Sequence, residues 1–129
     1  MKRTATRLAT LTAATATAMV LATAPSFAYP TTATATTAAG YGYFNGETQV
    51  IAVHDSHKDG QGVAILYYRY DLAKTGPYYA WNQQGNGTTT YLYLNMPSNT
   101  TIKMYACPEK EGIVINSQCG SGVFATVPI

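Results

Sequence analysis

The sequence predicts an all-β protein, a single antiparallel β-sandwich of about seven strands. Short runs rich in β-branched and aromatic residues alternate between two faces with period two. Clusters of Gly, Pro, Asn, Asp and Ser separate these runs, and such clusters are typical of turns. No run carries a helical apolar stripe with capping residues at both ends. Together these observations favour two packed antiparallel sheets.

Each predicted strand is short and is bounded by turn residues. The run at residues 88–94 is the clearest example, because Leu92 and Leu94 fall on one face and Tyr91 and Tyr93 on the other. The run at residues 62–70 divides in the same way, with Tyr67 and Tyr68 on opposite faces. The seven predicted strands lie at residues 48–53, 62–70, 78–82, 88–94, 100–107, 112–116 and 122–127.

Residues 1–28 have the layout of a secretory signal peptide. Lys2, Arg3 and Arg7 precede an uncharged Ala/Leu/Thr segment, which ends in the small-x-small sequence Ser26-Phe27-Ala28. The apolar part is short and interrupted by Thr, whereas a membrane-spanning helix needs about 20 apolar residues. We therefore expect a secreted, extracellular protein without a stable membrane span.

The rest of the chain is predicted to form one domain after a short leader. Residues 29–40, with the sequence YPTTATATTAAG, show no apolar period, so we expect a flexible Thr/Ala-rich segment. The β-sandwich domain is predicted to occupy residues 41–129. Five basic and six acidic side chains follow residue 28, a net charge of −1. This balance offers no basic surface for phosphates, so a nucleic-acid partner is not expected.

The two cysteines, Cys107 and Cys119, follow residue 28 and form an even pair. In an oxidising compartment such a pair predicts one disulfide, and two free thiols or two metal ligands are the alternatives. A bond across this spacing stabilises by about 3 kcal/mol on the chain-entropy model. The bond would join the two arms of a hairpin that turns at PEKEG, residues 108–112.

The segment from Val63 to Cys107 resembles the middle of fibronectin type III-like and immunoglobulin-like sandwiches. The features that carry the resemblance are Trp81, the Leu92/Leu94 alternation, Met96-Pro97 and Thr100-x-Ile102-x-Met104. The chain departs from that pattern at Ile102, where those domains usually have a tyrosine.

From about Val50 to Phe124 the chain is also similar to small secreted actinobacterial proteins of uncharacterised function. They share the Asp59-Gly60 turn before Tyr68-Arg69-Tyr70 and the two late cysteines. The resemblance implies an exported sandwich and no catalytic residue.

The stretch VHDSHKDGQG, residues 53–62, contains both histidines of the chain. His54, Asp55, His57 and Asp59 could hold a transition metal if the turn brought them together. An EF-hand-like calcium loop that begins at Asp55 would need a Glu at its twelfth position, but that position is Leu66. Ser56 is not flanked by a nucleophile-elbow pattern, so hydrolysis through this serine is not expected. The pattern favours a solvated turn between strands, and a metal loop is the alternative.

All eleven tyrosines follow residue 28 and suggest an aromatic binding surface. The candidate binding residues are Tyr67, Tyr68, Trp81, Tyr91 and Tyr93. Tyrosine offers a large amphipathic area at low conformational cost and can stack on sugar rings or anchor a protein. The alternative is that cross-strand aromatic pairs stabilise the sheet.

We therefore expect a secreted, non-catalytic binding module without a cofactor, whose partner is an extracellular glycan or protein. A small extracellular enzyme or metal-binding protein centred on the His54–Asp59 loop is one alternative. An inhibitor of a secreted hydrolase, or a structural component of the cell envelope, is another.

Overall fold

The computed structural model describes residues 29–129, which form an antiparallel β structure in two sheets. The described part contains nine strands and one short 3₁₀ helix, η1. Their bounds are β1 Thr32–Thr37, β2 Gly40–Asn45, β3 Val50–Asp55, β4 Gly62–Arg69, β5 Tyr78–Asn82, β6 Thr89–Tyr93, β7 Thr101–Lys110, β8 Ile113–Val114, η1 Asn116–Gln118 and β9 Val123–Thr126. The predicted all-β fold is confirmed, with two strands added before the first predicted one.

The nine strands form two sheets that face each other. The first sheet has the order β1-β2-β3-β6. The second has the order β5-β4-β7, and β7 pairs along its other edge with both β8 and β9. Every pairing is antiparallel. Strands β6 and β5 are the edge strands on the same side of the sandwich, where Thr90 Oγ1 donates a hydrogen bond to the Trp81 carbonyl at 2.7 Å.

The core lies between the sheets and follows the period-two alternation of each strand. The first sheet contributes Phe44, Ile51 and Val53, all buried. The second contributes a larger set from four strands, and this set also includes Tyr67 at 7% exposure. The residues of the second sheet that belong to this core are Val63, Ile65, Tyr67, Ala80, Ile102, Met104, Ala106 and Ala125.

The segment predicted to be a flexible leader, residues 29–40, instead contains strand β1 and the start of β2. Ala33 and Ala35 face the core while the intervening threonines face outward. Their small inward side chains let β1 lie close to strands β7 and β9 of the other sheet. The sandwich therefore begins before residue 41, and the Thr/Ala alternation is that of a strand.

Strand β2 was also not predicted, and both of its tyrosines point outward while Phe44 enters the core. Tyr41 and Tyr43 are exposed, while Gly40 and Gly42 face inward. A Cβ added to Gly42 would overlap the Ile65 side chain of the opposite sheet. Glycine is required here because the two sheets approach each other closely.

A disulfide joins Cys107 of β7 to Cys119, as predicted, and the described residues contain no free cysteine. The hairpin turns later than expected, because β7 continues through Pro108 and Glu109 to Lys110. Glu111 and Gly112 form the two-residue turn, with φ values of 53° and 83°. Positive φ at both positions is typical of the type I′ turn that suits a twisted hairpin.

The predicted signal peptide, residues 1–28, lies outside the described residues. Among residues 29–129, no helix has the length and apolar character needed to cross a membrane.

Candidate binding surfaces

Exposed tyrosines follow the outer side of the first sheet. We call this surface the tyrosine face and define it by Tyr41, Tyr43, Tyr91 and Tyr93. Strand register places Tyr43 and Tyr91 on either side of Ala52 in one row across the sheet. Two strand spacings separate them by about 10 Å. Ala52 is small, so the row has a shallow centre between two rings.

The rings of Tyr43, Tyr91 and Tyr93 have no aromatic partner among residues 29–129. Tyr91 is 73% exposed and Tyr93 64% exposed. Tyr41 instead lies 5.0 Å from the ring of His54, which also forms a 2.8 Å hydrogen bond with Thr89 Oγ1. The most exposed rings of the face are thus free to contact another molecule.

The tyrosine face carries no Lys, Arg, Asp or Glu at the outward positions of the described strands β1, β2, β3 and β6. Hydroxyl groups supply its polarity instead. The outward threonines of this sheet are Thr32, Thr34, Thr36 and Thr89. The outward positions of these strands are therefore free of Lys, Arg, Asp and Glu and rich in both rings and hydroxyls.

The outer side of the second sheet is also aromatic, but its rings contact one another. Tyr79 stacks on Trp81 with 5.3 Å between ring centroids. Tyr68 meets Tyr105 edge-on at 6.3 Å. These are the geometries in which aromatic pairs stabilise each other.

A further group on the second sheet centres on Phe124. Tyr29 stacks on Phe124 at 4.5 Å, and the Lys103 ammonium lies 5.1 Å from the ring centroids of both Phe124 and Tyr105. Tyr29 precedes β1, so this stacking attaches the start of the described chain to β9.

The five candidate binding residues do not form one surface. Tyr91 and Tyr93 lie on the tyrosine face, whereas Tyr68 and Trp81 lie on the outer side of the second sheet. Tyr67 belongs to the core and burial raises the pKa of its phenol, so its proposed exposure is wrong. Tyr41 and Tyr43 are missing from the predicted set because β2 was not recognised as a strand.

The loop predicted as a possible metal site does not bring its four residues together. His54 points outward beside Tyr41, whereas the adjacent Asp55 points inward and is 1% exposed, as strand alternation requires. His57 and Asp59 follow in an exposed turn. No group of three or more His, Cys, Asp or Glu side chains within residues 29–129 is placed to hold a metal ion. The four side chains of the loop therefore do not converge on one point in the part of the chain that the structure describes.

A polar cleft of about 450 Å³ opens at one end of the sandwich, and we call it the end cleft. It lies where the β3–β4 loop, the β5–β6 loop and the β7–β8 turn meet. Asp55, His57 and Asp59 contribute to its wall, but His54 does not. The other lining residues are Lys58, Gly60, Gln61, Gly62, Gln83, Gln84, Gly85, Asn86, Glu109 and Glu111.

Asn82 fixes one wall of the end cleft, and no sequence pattern marks it for this role. Its side chain is fully buried, and its amide donates to the carbonyls of Val53 at 2.9 Å and Thr88 at 2.8 Å. Its oxygen accepts from the Gln84 N–H at 2.9 Å and from the Thr88 hydroxyl at 3.2 Å. All the polar groups of this side chain are satisfied, so Asn82 joins the two sheets and shapes the β5–β6 loop.

A smaller groove of about 200 Å³ lies between the edge strands β5 and β6. Its walls include Trp81 from one sheet and Tyr91 from the other. Tyr91 therefore contributes to both this groove and the tyrosine face.

Comparison with models of known protein families found no match, and neither the curated proteins nor the solved structures contain a significant match to this chain.

Proposed function

We propose that the protein is a secreted, non-catalytic module that binds an extended, uncharged polysaccharide through the tyrosine face. The observation that carries the proposal is the pair of rings of Tyr43 and Tyr91, which are exposed, lack an aromatic partner within residues 29–129 and flank Ala52 in one row.

The chemistry of this face suits a neutral sugar chain. The apolar side of a pyranose ring stacks on aromatic rings, and the neighbouring hydroxyls can exchange hydrogen bonds with sugar hydroxyls. The separation of Tyr43 and Tyr91, about 10 Å, is close to the length of a disaccharide unit in an extended chain. Tyr93 lies two residues from Tyr91, about 7 Å along the same strand.

The absence of charge at the outward positions of these described strands distinguishes between sugar classes. An acidic polysaccharide requires basic side chains, and none lies at these positions. Neutral glucans, xylans and N-acetylated polymers are therefore the polysaccharides that fit the surface. The predicted signal peptide and the disulfide are consistent with action outside the cell.

The experiment is a binding assay of the purified protein against cellulose, chitin and xylan, followed by calorimetry with oligosaccharides of the retained polymer. We expect Tyr91→Ala and Tyr43→Ala each to weaken binding by about tenfold, because each variant loses about 1.4 kcal/mol of contact. Tyr70→Ala is the matched control, since Tyr70 is exposed but lies just after β4 of the other sheet. Equal loss in all three variants, or binding to no polysaccharide, would contradict the proposal.

A further inference from the structure

Strand β6 is an open edge of the first sheet. The Leu94 N–H donates to the Gln49 carbonyl at 2.8 Å, so the even-numbered residues of this segment face β3. Backbone groups alternate sides along an antiparallel strand, so the odd-numbered residues point their N–H and C=O groups away from β3. No strand of the described chain lies on that side of β6 in its sheet. The residues whose backbone groups are open to another strand are Thr89, Tyr91 and Tyr93.

The other edges of the sandwich are covered or short. At β1, the Gly120 backbone lies so close to the Thr36 carbonyl that a Cβ would overlap it, and a β9 N–H donates to the Pro30 carbonyl at 2.9 Å. At β5, the Trp81 carbonyl already accepts the Thr90 hydroxyl, and β8 has only two residues. Edge strands usually carry charges or proline that prevent pairing, and β6 has neither. This difference favours a β6 edge that is paired in the working protein.

We propose that a second copy of the chain pairs with this edge, β6 against β6, in antiparallel register about a two-fold axis at Tyr91. Tyr91 then lies opposite the partner's Tyr91, and Thr89 lies opposite the partner's Tyr93. Each of these pairs exchanges two hydrogen bonds, so every open backbone group of β6 is satisfied. A register shifted by two residues would leave one of the three open residues of each copy unpaired. The edge is therefore complementary to itself, as a two-fold interface requires.

Charge and side-chain packing both favour a second copy at this edge. Strand β6 carries no charged residue, and the part of the chain after residue 28 has a net charge of only −1, so two copies repel weakly. The opposed Tyr91 rings form a cross-strand aromatic pair on the outer side. The groove between β5 and β6, whose walls include Trp81 and Leu92, lies along the same edge, so the partner also covers apolar surface there.

Pairing of the two β6 strands joins two tyrosine faces into one surface. The row formed by Tyr43, Ala52 and Tyr91 continues across the axis to the partner's Tyr91 and ends at the partner's Tyr43. Five strand spacings separate the two outer rings, about 24 Å. On the proposed function, on which this step rests, only a sugar chain longer than a disaccharide reaches both copies. The partner thus contributes half of the binding surface for a long polysaccharide.

The size of the contact makes the dimer weak and dependent on ligand. A strand of five residues is about 17 Å long, and the two sheets lie about 10 Å apart. An edge of these dimensions buries less than the about 800 Å² per partner of a standard interface. We therefore expect dimerisation to depend on protein concentration. A polysaccharide that contacts both copies should strengthen it, because a ligand that binds the dimer preferentially shifts the equilibrium towards the dimer.

The test is sedimentation equilibrium of the purified protein without sugar, at concentrations up to about 1 mM. We expect a monomer–dimer equilibrium in the original protein. Tyr91→Lys and Tyr91→Glu should each weaken the dimer about tenfold, because like charges then face each other across the axis. An equimolar mixture of the two variants should restore the dimer, because opposite charges face each other. Tyr43→Lys is the matched control, since Tyr43 is also exposed and outward but lies on β2, away from the edge.

Three outcomes of this test would overturn the inference. The first is an original protein that stays monomeric over the whole concentration range. The second is an association that Tyr91→Lys leaves unchanged. The third is a mixture of the two Tyr91 variants that associates no more than each variant alone.

A second set of measurements adds hexasaccharides of cellulose, chitin and xylan, with the matching disaccharides as controls. A hexasaccharide that binds should raise the dimer fraction of the original protein, whereas its disaccharide should not. A hexasaccharide that binds and leaves this fraction unchanged would show that the two tyrosine faces are not joined. If no sugar binds, the polysaccharide proposal alone fails, because self-association is measured without sugar.

Discussion

The outer sides of the two sheets both carry aromatic residues, but the rings differ in what they contact. On the second sheet the rings pair with each other, as Tyr79 and Trp81 do. On the first sheet Tyr43, Tyr91 and Tyr93 have no aromatic partner among the described residues. An aromatic pair contributes to the stability of the fold, whereas a free exposed ring contributes little. Ring contacts therefore distinguish tyrosines that stabilise the fold from tyrosines that are candidates for binding.

The largest effect is expected at Tyr67, which lies in the core. Tyr67→Ala should lower the free energy of unfolding by about 4 kcal/mol, because it removes a buried ring and leaves a cavity. Denaturant unfolding measures this change. Tyr67→Phe is the control and should cost less than about 1.5 kcal/mol, since it conserves the packed volume. An alanine variant as stable as the original would show that this ring does not belong to the core.

Trp81 should show an intermediate effect on stability. Trp81→Ala removes the stacking on Tyr79 and is expected to cost about 2 kcal/mol, from the ring pair and the apolar area that it covers. The same unfolding assay measures it. If Trp81→Ala lost polysaccharide binding and kept its stability, the outer side of the second sheet would be the binding surface, and the account of the tyrosine face would be wrong.

The pair of Arg69 and Asp71 gives a smaller, pH-dependent effect. Arg69 Nε and Nη2 donate to the two Asp71 oxygens at 3.1 and 2.7 Å. This hydrogen bonding holds the pKa of Asp71 below its usual value and raises the pKa of Arg69. Because the folded-state pKa of Asp71 is lowered, its contribution is present above about pH 3.9 and is lost as the pH falls through the lowered value.

Asp71→Asn is therefore expected to cost about 1.5 kcal/mol at pH 6, as for a hydrogen bond to a charged group. Thermal unfolding at pH 6 and at pH 2.5 measures the difference between the variant and the original protein. The difference should shrink at the lower pH. A difference that stays constant with pH would show that the ion pair does not contribute to stability.

The smallest effect on stability is expected on the tyrosine face. Tyr91→Ala should change the free energy of unfolding by less than about 0.5 kcal/mol, because the ring is 73% exposed and contacts no other ring among residues 29–129. A loss comparable to that of Trp81→Ala would mean that Tyr91 serves to hold the sheet together.

Period two correctly divided β4 and β6 into two faces, with Leu92 opposite Tyr91 in β6 and Tyr67 opposite Tyr68 in β4. It did not reveal that Tyr67 lies on the inner face, since a tyrosine suits either side of a sheet. It also missed β1 and β2, in which small Ala and Gly residues face inward. Close approach of the two sheets selects those small residues, and that approach involves residues distant in sequence, such as Gly42 and Ile65.

The end cleft likewise combines residues that are close in sequence with residues that only the fold brings together. The sequence placed Asp55, His57 and Asp59 in one turn, and all three line the cleft. Glu109 of β7 and Gln83, which directly follows β5, could not be connected with this turn by spacing. Gly62 lies between them in the sheet, where it leaves room for their hydrogen bond.

Calorimetry of the double variant Tyr43→Ala/Tyr91→Ala with an oligosaccharide of the polymer that the protein retains tests the central claim most directly. We predict an affinity about a hundredfold weaker than that of the original protein, with an unchanged Tm, because the two rings contribute separately and neither stabilises the fold. An unchanged affinity in the double variant would contradict the claim that the free rings of the first sheet form the binding surface.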